Sequence, residues 1–444
     1  MIFTQFVDDA LGCASYLVGD AESGTAVVVD PAFAIEQYLE EAEKRSVRIV
    51  RTIETHTHAD HLSGHGRFAL EHGVPVSVHP AAEAEYPHDP LEDGDEIEVG
   101  AVLLRCIHTP GHRPEHCCLA VSDRSRGLDP WIVLTGDSLF VGDAARPDLA
   151  VDAREGAEGL FHSLRRLVEL GDGVEVYPGH VAGSLCGKAM SSKASTTIGF
   201  ERRFNPALVY DDVALFIAES AAISAPRPPN MERIVEMNRG SFVGAQPELQ
   251  ELPAPPDGVQ VLDVRPVEAF AEGHVVGALN VPVTGTGFST KAAFVLEPDS
   301  VVVCASDTSE AAEATRALRS VGLLNISGYV LGGGSETLGL VSIEELEALL
   351  AEGAELIDVR EKDERDSGYI AGSRNIPYRL LALGECDLPR DRPILTICET
   401  GPRAAIAASI LTSHGFDAHP VWNGGIESWM AAGKPTVEFR RCGS

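Results

Sequence analysis

Basic residues are scarce in this chain: 35 Lys and Arg stand against 67 Asp and Glu, a formal net charge of -32. Nucleic acid and anionic membrane surfaces both need a cationic patch, so neither is an expected partner. An anionic small molecule must find local donors, because the long-range field repels it. Long apolar runs are also missing. No stretch reaches the roughly 18 apolar residues of a membrane-spanning helix. The opening "MIFTQFVDDALGCASYL" has no basic segment and carries Asp8 and Asp9, so it does not read as a signal peptide. Nine cysteines fall at irregular spacing with no CxxC pair. That argues against a disulfide framework and fits a reduced, cytoplasmic setting.

Apolar residues make up 44% of the 444 positions, ample for buried cores but too many residues for one ordinary core. The first half alternates strand-like runs ("SYLVG", "TAVVVD", "RIVRTIE", "VPVSVH", "AVLLRCIH", "CCLAVS", "WIVLTGD") with amphipathic stretches ("IEQYLEEAEKRS", "GLFHSLRRLVEL"). Proline-rich "SAPRPPN" and "PELQELPAPPDG" disfavour continuous helix or sheet and mark linkers.

Behind them lies a repeat. "VLDVRPVEAFAEGHVVGALNVP" starts at Val261 and "LIDVREKDERDSGYIAGSRNIP" at Leu356. Asp263 and Asp358, Asn280 and Asn375, and Pro282 and Pro377 share one constant offset. The expected organisation is therefore residues 1–235, a linker 236–258, a first repeat copy 259–335 and a second 340–440.

The richest chemistry is "THTHADH", which places His56, His58, Asp60 and His61 together. Imidazole and carboxylate suit Zn, Fe or Mn. A hydrogen-bonded turn with satisfied histidines is the plain alternative, but the box has companions. "TPGH" supplies His112, "LTGD" Asp137 and "VYPGH" His180, each just after an apolar run. Loops beyond strand ends are where α/β folds build sites. Cys106, Cys117 and Cys118 lie inside strand-like runs and read as buried small hydrophobes; His108 and His116 read as structural.

Over about residues 1–230 this set resembles the metallo-β-lactamase superfamily, which implies an αββα sandwich. Two branches carry the same box. Glyoxalase II enzymes hold two metals and hydrolyse a thioester; persulfide dioxygenases hold one iron and use O2. The resemblance to the second branch extends to Arg146 in "GDAARPDL", to Tyr177 as its active-site tyrosine, and to "RRFNPAL". It implies Fe(II), one per chain, on His56, His112 and Asp137, with His58, Asp60, His61 and His180 orienting these ligands. In the two-zinc alternative, Asp60, His61 and His180 bind a second ion and Asp137 bridges. Cys186, in the loop "GHVAGSLCGKAMSS" with Lys188 beside it, reads either as an inert loop thiol or as a residue that lines the substrate channel and accepts or positions the persulfide sulfur.

"LTICETGPRAA" puts Cys398 between an apolar run and an alanine-rich helix. A cysteine at such a turn meets backbone N–H groups and the positive helix end, which favours a thiolate. Arg403 closes the loop and can hold an anion. With "LIDVRE" and "GSRNIP" upstream, residues 340–440 resemble the rhodanese sulfurtransferases, whose cysteine carries sulfane sulfur. In the first copy, alignment puts Ala305 opposite Cys398 and Glu310 opposite Arg403, while Cys304 falls one place early on the strand. A one-residue shift turns a strand side chain to the other face, so this copy is expected to be inactive.

The expected fold is thus α/β: an αββα metallo-β-lactamase sandwich followed by two α/β rhodanese-like domains. The whole chain resembles bacterial sulfide-detoxifying fusions. The resemblance implies a dioxygenase that converts a low-molecular-weight persulfide with O2 to sulfite. It also implies sulfur transfer among persulfide, thiosulfate and sulfite at Cys398, in a homo-oligomer. A dinuclear zinc thioester hydrolase and a non-catalytic sulfur-carrier scaffold are the alternatives.

Overall fold

A computed structural model describes residues 1–8, 11–148, 150–181, 191, 193–221, 230–297, 299–384 and 387–438. Two compact units are present: residues 1–246 with 319–322, and the remainder of 247–444.

The first unit is built on two six-stranded sheets. One runs in the spatial order Ile2–Asp8, Cys13–Asp20, Thr25–Val29, Arg48–Ile53, Val76–Val78, Asp89–Pro90. The other runs Thr196–Thr197, Glu175–Pro178, Ile132–Gly136, Cys117–Asp123, Val102–His108, Glu96–Val99. Side-chain alternation sets the layers, because successive residues of a strand face opposite ways. Tyr16 and Val18 enter a core shared with Leu119, Val121 and Leu134 of the other sheet. Leu17 between them packs against Tyr38 and Ala42 of the helix Glu36–Arg45. On the second sheet, Cys118 and Ala120 pack against Leu160, Leu164 and Leu167 of the helix Ala153–Val168, while Cys117 joins the inter-sheet core. Three apolar layers between helix, sheet, sheet and helix make the expected αββα sandwich. The three strand cysteines are buried, as small hydrophobes would be. No helix among the described residues is long and apolar enough to cross a membrane.

The second unit holds the repeat as two four-stranded parallel sheets of identical order. They are Leu279–Asn280, Gln260–Asp263, Val301–Ala305, Ile326–Leu331, and Arg374–Asn375, Glu355–Asp358, Ile394–Ile397, Ala418–Pro420. The recurring residues form the same lock twice. Arg265 grips Asp263 through Nε and Nη2 and donates to the Gly273 carbonyl; Arg360 grips Asp358 and donates to the Gly368 carbonyl. Asn280 Nδ2 donates to the carbonyls of Asp263 and Arg265, and Asn375 Nδ2 to those of Asp358 and Arg360. Each lock satisfies buried polar groups at a strand end, where an unpaired one would cost about 1–3 kcal/mol.

Strand register aligns the two copies residue by residue. Asp263 lies opposite Cys304, and Asp358 lies opposite Ile397. Cys304 is therefore the counterpart of Ile397, and Ala305 that of Cys398, as the alignment predicts. The Cys304 thiol donates to the Gly332 carbonyl at 2.7 Å, and burial followed by the Asp263 carboxylate pushes it up to about 12. Glu310, opposite Arg403, accepts the Ser306 N–H with its own carboxylate. Cys304 should resist iodoacetamide in the native protein at neutral pH and react only after denaturation. Native labelling at the rate of an exposed thiol, read by peptide mass spectrometry, would contradict this register.

Candidate metal centre and thiol loop

Four loops at the carboxyl ends of strands deliver the candidate ligands. His56 follows Arg48–Ile53, His112 follows Val102–His108, Asp137 follows Ile132–Gly136 and His180 follows Glu175–Pro178. Potential ligand atoms of His56, His112 and Asp137 all lie within 4.8 Å of one another, and all three residues are buried. Asp137 Oδ2 is 3.5 Å from His112 Nε2 and 4.0 Å from His56 Nε2, and it accepts no hydrogen bond.

The surrounding hydrogen bonds fix the state of each group. Thr55 donates its only hydroxyl proton to Asp30 Oδ2 at 2.8 Å, so at 2.9 Å it accepts from His56 Nδ1. His112 Nδ1 donates to the Arg146 carbonyl at 3.3 Å. Both imidazoles thus turn a bare Nε2 toward the bare oxygen of Asp137. Burial and nearby cationic groups hold His56 well below the ordinary imidazole range, and burial lowers His112 despite Asp137. Burial pushes Asp137 up, but His180 and His112 outweigh it and hold it down at about 2. Three lone pairs converge here with no proton between them, a candidate donor set for a cation. These residues fit a divalent metal.

Backbone geometry supports the convergence. Gly136 has φ +45°, and a Cβ there would lie 2.7 Å from both His116 Nε2 and Thr55 Oγ1. His116 accepts the Asp137 N–H through Nε2 at 2.9 Å, and its Nδ1 bonds to Thr109 Oγ1 at 2.8 Å. Burial and His112 push His116 down to about 3, so it acts as a neutral prop. His108 is tied to the Pro114 carbonyl and stacks on His79.

His180 uses both ring nitrogens on carboxylates: Nδ1 to Asp137 Oδ1 and Nε2 to Asp60 Oδ2, each at 2.7 Å. His58 lies 3.3 Å from Asp30 and 3.4 Å from Glu54. Burial opposes its charge, yet Asp30 and Glu54 hold it well above the ordinary imidazole value. His61 meets Asp60 at 3.2 Å.

Two participants escape the linear sequence. Cys13 places its sulfur 3.2 Å from Asp60 Oδ2, 3.3 Å from His180 Nε2 and 3.5 Å from His61 Nδ1. Burial and then Asp60 push this thiol well above its usual range. Cys13, Asp60 and His61 make a second candidate donor set. Asn238, on the helix Met231–Arg239, donates to the carbonyls of His58 and His61 and accepts from the Ser63 N–H. Nothing in "VEMNRG" marks either role.

Other expected residues stand elsewhere. The Arg146 guanidinium pairs with Asp148, so its carbonyl is the part that meets His112. The Tyr177 hydroxyl donates to Glu175 at 2.9 Å, and its ring packs on Phe3 and Tyr16. None of its described contacts is with His56, His112 or Asp137. Cys186 lies outside the described residues.

In the thiol loop, Cys398 follows the strand Ile394–Ile397, and its sulfur accepts the Gly401 N–H at 3.1 Å. Gly401 has φ +117° and would bring a Cβ within 3.1 Å of the Trp422 ring. Arg403 begins the helix Pro402–Ser413 and is gripped by both oxygens of Glu364 at 2.7 Å. Glu399 pairs with Arg360 at 2.8 Å.

Residues 8–180 match the Metallo-beta-lactamase superfamily, and residues 246–337 and 342–432 each match the Rhodanese-like domain. The chain belongs to the metallo-β-lactamase superfamily through its N-terminal half and carries two rhodanese-like domains behind it. An uncharacterised protein of Mycobacterium tuberculosis is 31% identical over 234 residues, 47% of this chain and 98% of that one. The mitochondrial persulfide dioxygenase ETHE1 of Bos taurus is 29% identical over 229 residues, 50% of this chain and 82% of that protein. The crystal structure of a metallo-beta-lactamase from Staphylococcus aureus subsp. aureus COL superposes with a TM-score of 0.70 at 29% identity. That match covers 74% of this chain and 99% of that chain.

Replacing Asn238 with Ala strands two carbonyls and one N–H in the interior. The first unit should lose about 1–3 kcal/mol, seen as a lower urea midpoint. Asn238→Asp should be at least as harmful, since a carboxylate would face both carbonyls. An unchanged midpoint for both variants would remove Asn238 as the clamp.

Proposed function

We propose that the metal centre is a one-iron persulfide dioxygenase site. It oxidises a low-molecular-weight thiol persulfide with O2 to sulfite. We assign to Cys398 the transfer of sulfane sulfur among persulfide, thiosulfate and sulfite. The observation that carries this reading is the face of His56 Nε2, His112 Nε2 and Asp137 Oδ2, with His180 withheld from it by two carboxylate bonds. The likeness to a persulfide dioxygenase and the rhodanese-like modules support the same reading. When bound, Fe(II) supplies a redox-active centre with coordination positions left for small ligands.

The chain's own residues set up that centre. Asp30 and Thr55 hold His56 in the ligating tautomer, the Arg146 carbonyl does so for His112, and His180 leaves one Asp137 oxygen bare. Overall, the terminal sulfur of the persulfide gives four electrons to O2. Water supplies the third oxygen of sulfite, and the parent thiol is released. The second reading is a dinuclear zinc hydrolase, favoured by the donor set of Cys13, Asp60 and His61. Against it, His180, which that reading needs as a ligand of the second ion, has both ring nitrogens on carboxylates.

Purified protein should contain about one iron per chain and consume O2 with glutathione persulfide. His112→Ala should lose both the metal and the O2 uptake. Two zincs per chain, thioester hydrolysis and no O2 uptake would establish the second reading instead; neither metal nor turnover would leave a sulfur-carrier scaffold.

At the other centre, Cys398→Ser should abolish sulfur transfer from thiosulfate while persulfide-dependent O2 uptake persists. Transfer retained by Cys398→Ser would move the nucleophile elsewhere.

A further inference from the structure

The cations expected to serve Cys398 are already matched by carboxylates. Arg403 is held by both oxygens of Glu364. Arg360 is divided between Asp358 and Glu399. A sulfur oxyanion approaching this thiol therefore meets Glu364 and Glu399, the latter 41% exposed, beside arginines that are already paired.

The first repeat copy lies against this loop, within the same compact unit. Trp422, which packs over Gly401, donates its indole N–H to Glu268 Oε1 at 2.9 Å. The Asn280 N–H donates to Ser409 Oγ at 3.0 Å, on the helix that leaves the Cys398 loop. Phe294, on the helix Phe288–Val295, meets the Tyr378 ring edge-on at 6.3 Å. Lys291 is one turn before Phe294. Residues three apart share a helix face, so the face that packs on Tyr378 also carries Lys291. Lys291 is partly buried and donates from Nζ to the Thr286 carbonyl at 2.5 Å. Among the described ion pairs it has none. Burial and then the Arg403 charge lower its pKa, while Cys398 opposes that shift.

We propose that Lys291, supplied by the copy that lacks a nucleophile, is a substrate-binding residue of the Cys398 site and receives the sulfonate end of thiosulfate or the departing sulfite. This rests on the sulfurtransferase reading above. In the step it serves, the Cys398 thiolate attacks the outer sulfur of thiosulfate and a new S–S bond forms. The bond to the sulfonate sulfur breaks, and sulfite leaves with the electron pair. Nothing is oxidised overall. The ammonium offsets negative charge that the paired arginines leave exposed, and it does so from a partly desolvated position, where a single charge counts for more.

The test uses the full chain, with thiosulfate as donor and cyanide as acceptor. Lys291→Gln should raise the KM for thiosulfate about tenfold with kcat changed far less, the signature of a lost binding contact. Lys291→Arg should restore most of it. With a persulfide donor that has no sulfonate, such as cysteamine persulfide, Lys291→Gln should change KM little. An unchanged thiosulfate KM, or an equal loss with both donors, would overturn the proposal. If the wild-type protein transfers no sulfur at all, the sulfurtransferase reading fails by itself. Calorimetric binding of thiosulfate to Cys398→Ser, with and without Lys291→Gln, then still decides the role of Lys291: weaker binding in the double variant supports it and equal binding refutes it.

Discussion

One oxygen of Asp137 organises the first unit. It is buried, ionised and without a hydrogen bond, while its twin is held by His180. An unsatisfied buried charge is among the costliest features a fold can keep. His180 on the twin oxygen keeps the carboxylate ionised, and the two imidazole Nε2 atoms face the same point, an arrangement that a bound cation would complete. Around this oxygen the other features make sense. Gly136 allows Thr55 and His116 to come close, His116 holds the Asp137 backbone, and Asp30 anchors Thr55. Each removes freedom from one of the converging side chains, as preorganisation of a metal site would require.

The repeat separates scaffold from chemistry. Both copies keep the Asp–Arg–Asn lock at the end of the first strand, since that lock closes buried polar groups and holds the sheet. The loop one strand over carries no such load, and there the copies part. One offers Cys398 with an N–H on its sulfur; the other turns Cys304 to the opposite face and sets the Glu310 carboxylate on the Ser306 N–H. The first copy also frames its sibling, through Glu268, Asn280 and Phe294.

The acidity of the chain bears on both centres. With a net charge of -32, small sulfur anions gain nothing from the global field. Any anion bound at either centre must find its donors locally.

Much of this was legible in the linear chain. Strand runs ending in "ETHTH", "HTPGH", "LTGD" and "YPGH" already place four ligand candidates at strand ends, because hydrophobic alternation and glycine turns are local signals. The constant offset of the repeat and the one-residue displacement of Cys304 are likewise arithmetic on the sequence. What the sequence left open depends on which distant residues meet. Cys13 reaches Asp60 and His180 only through the order of the strands. Asn238 reaches the histidine loop only by helix docking. Tyr177 meets Glu175, Phe3 and Tyr16, contacts that its motif does not announce. The pairing of Arg403 with Glu364, and the contact of Phe294 with Tyr378, likewise come from packing between segments far apart in the chain. Local pattern determines where chemistry can stand; long-range packing decides which side chains share a proton, a charge or a void.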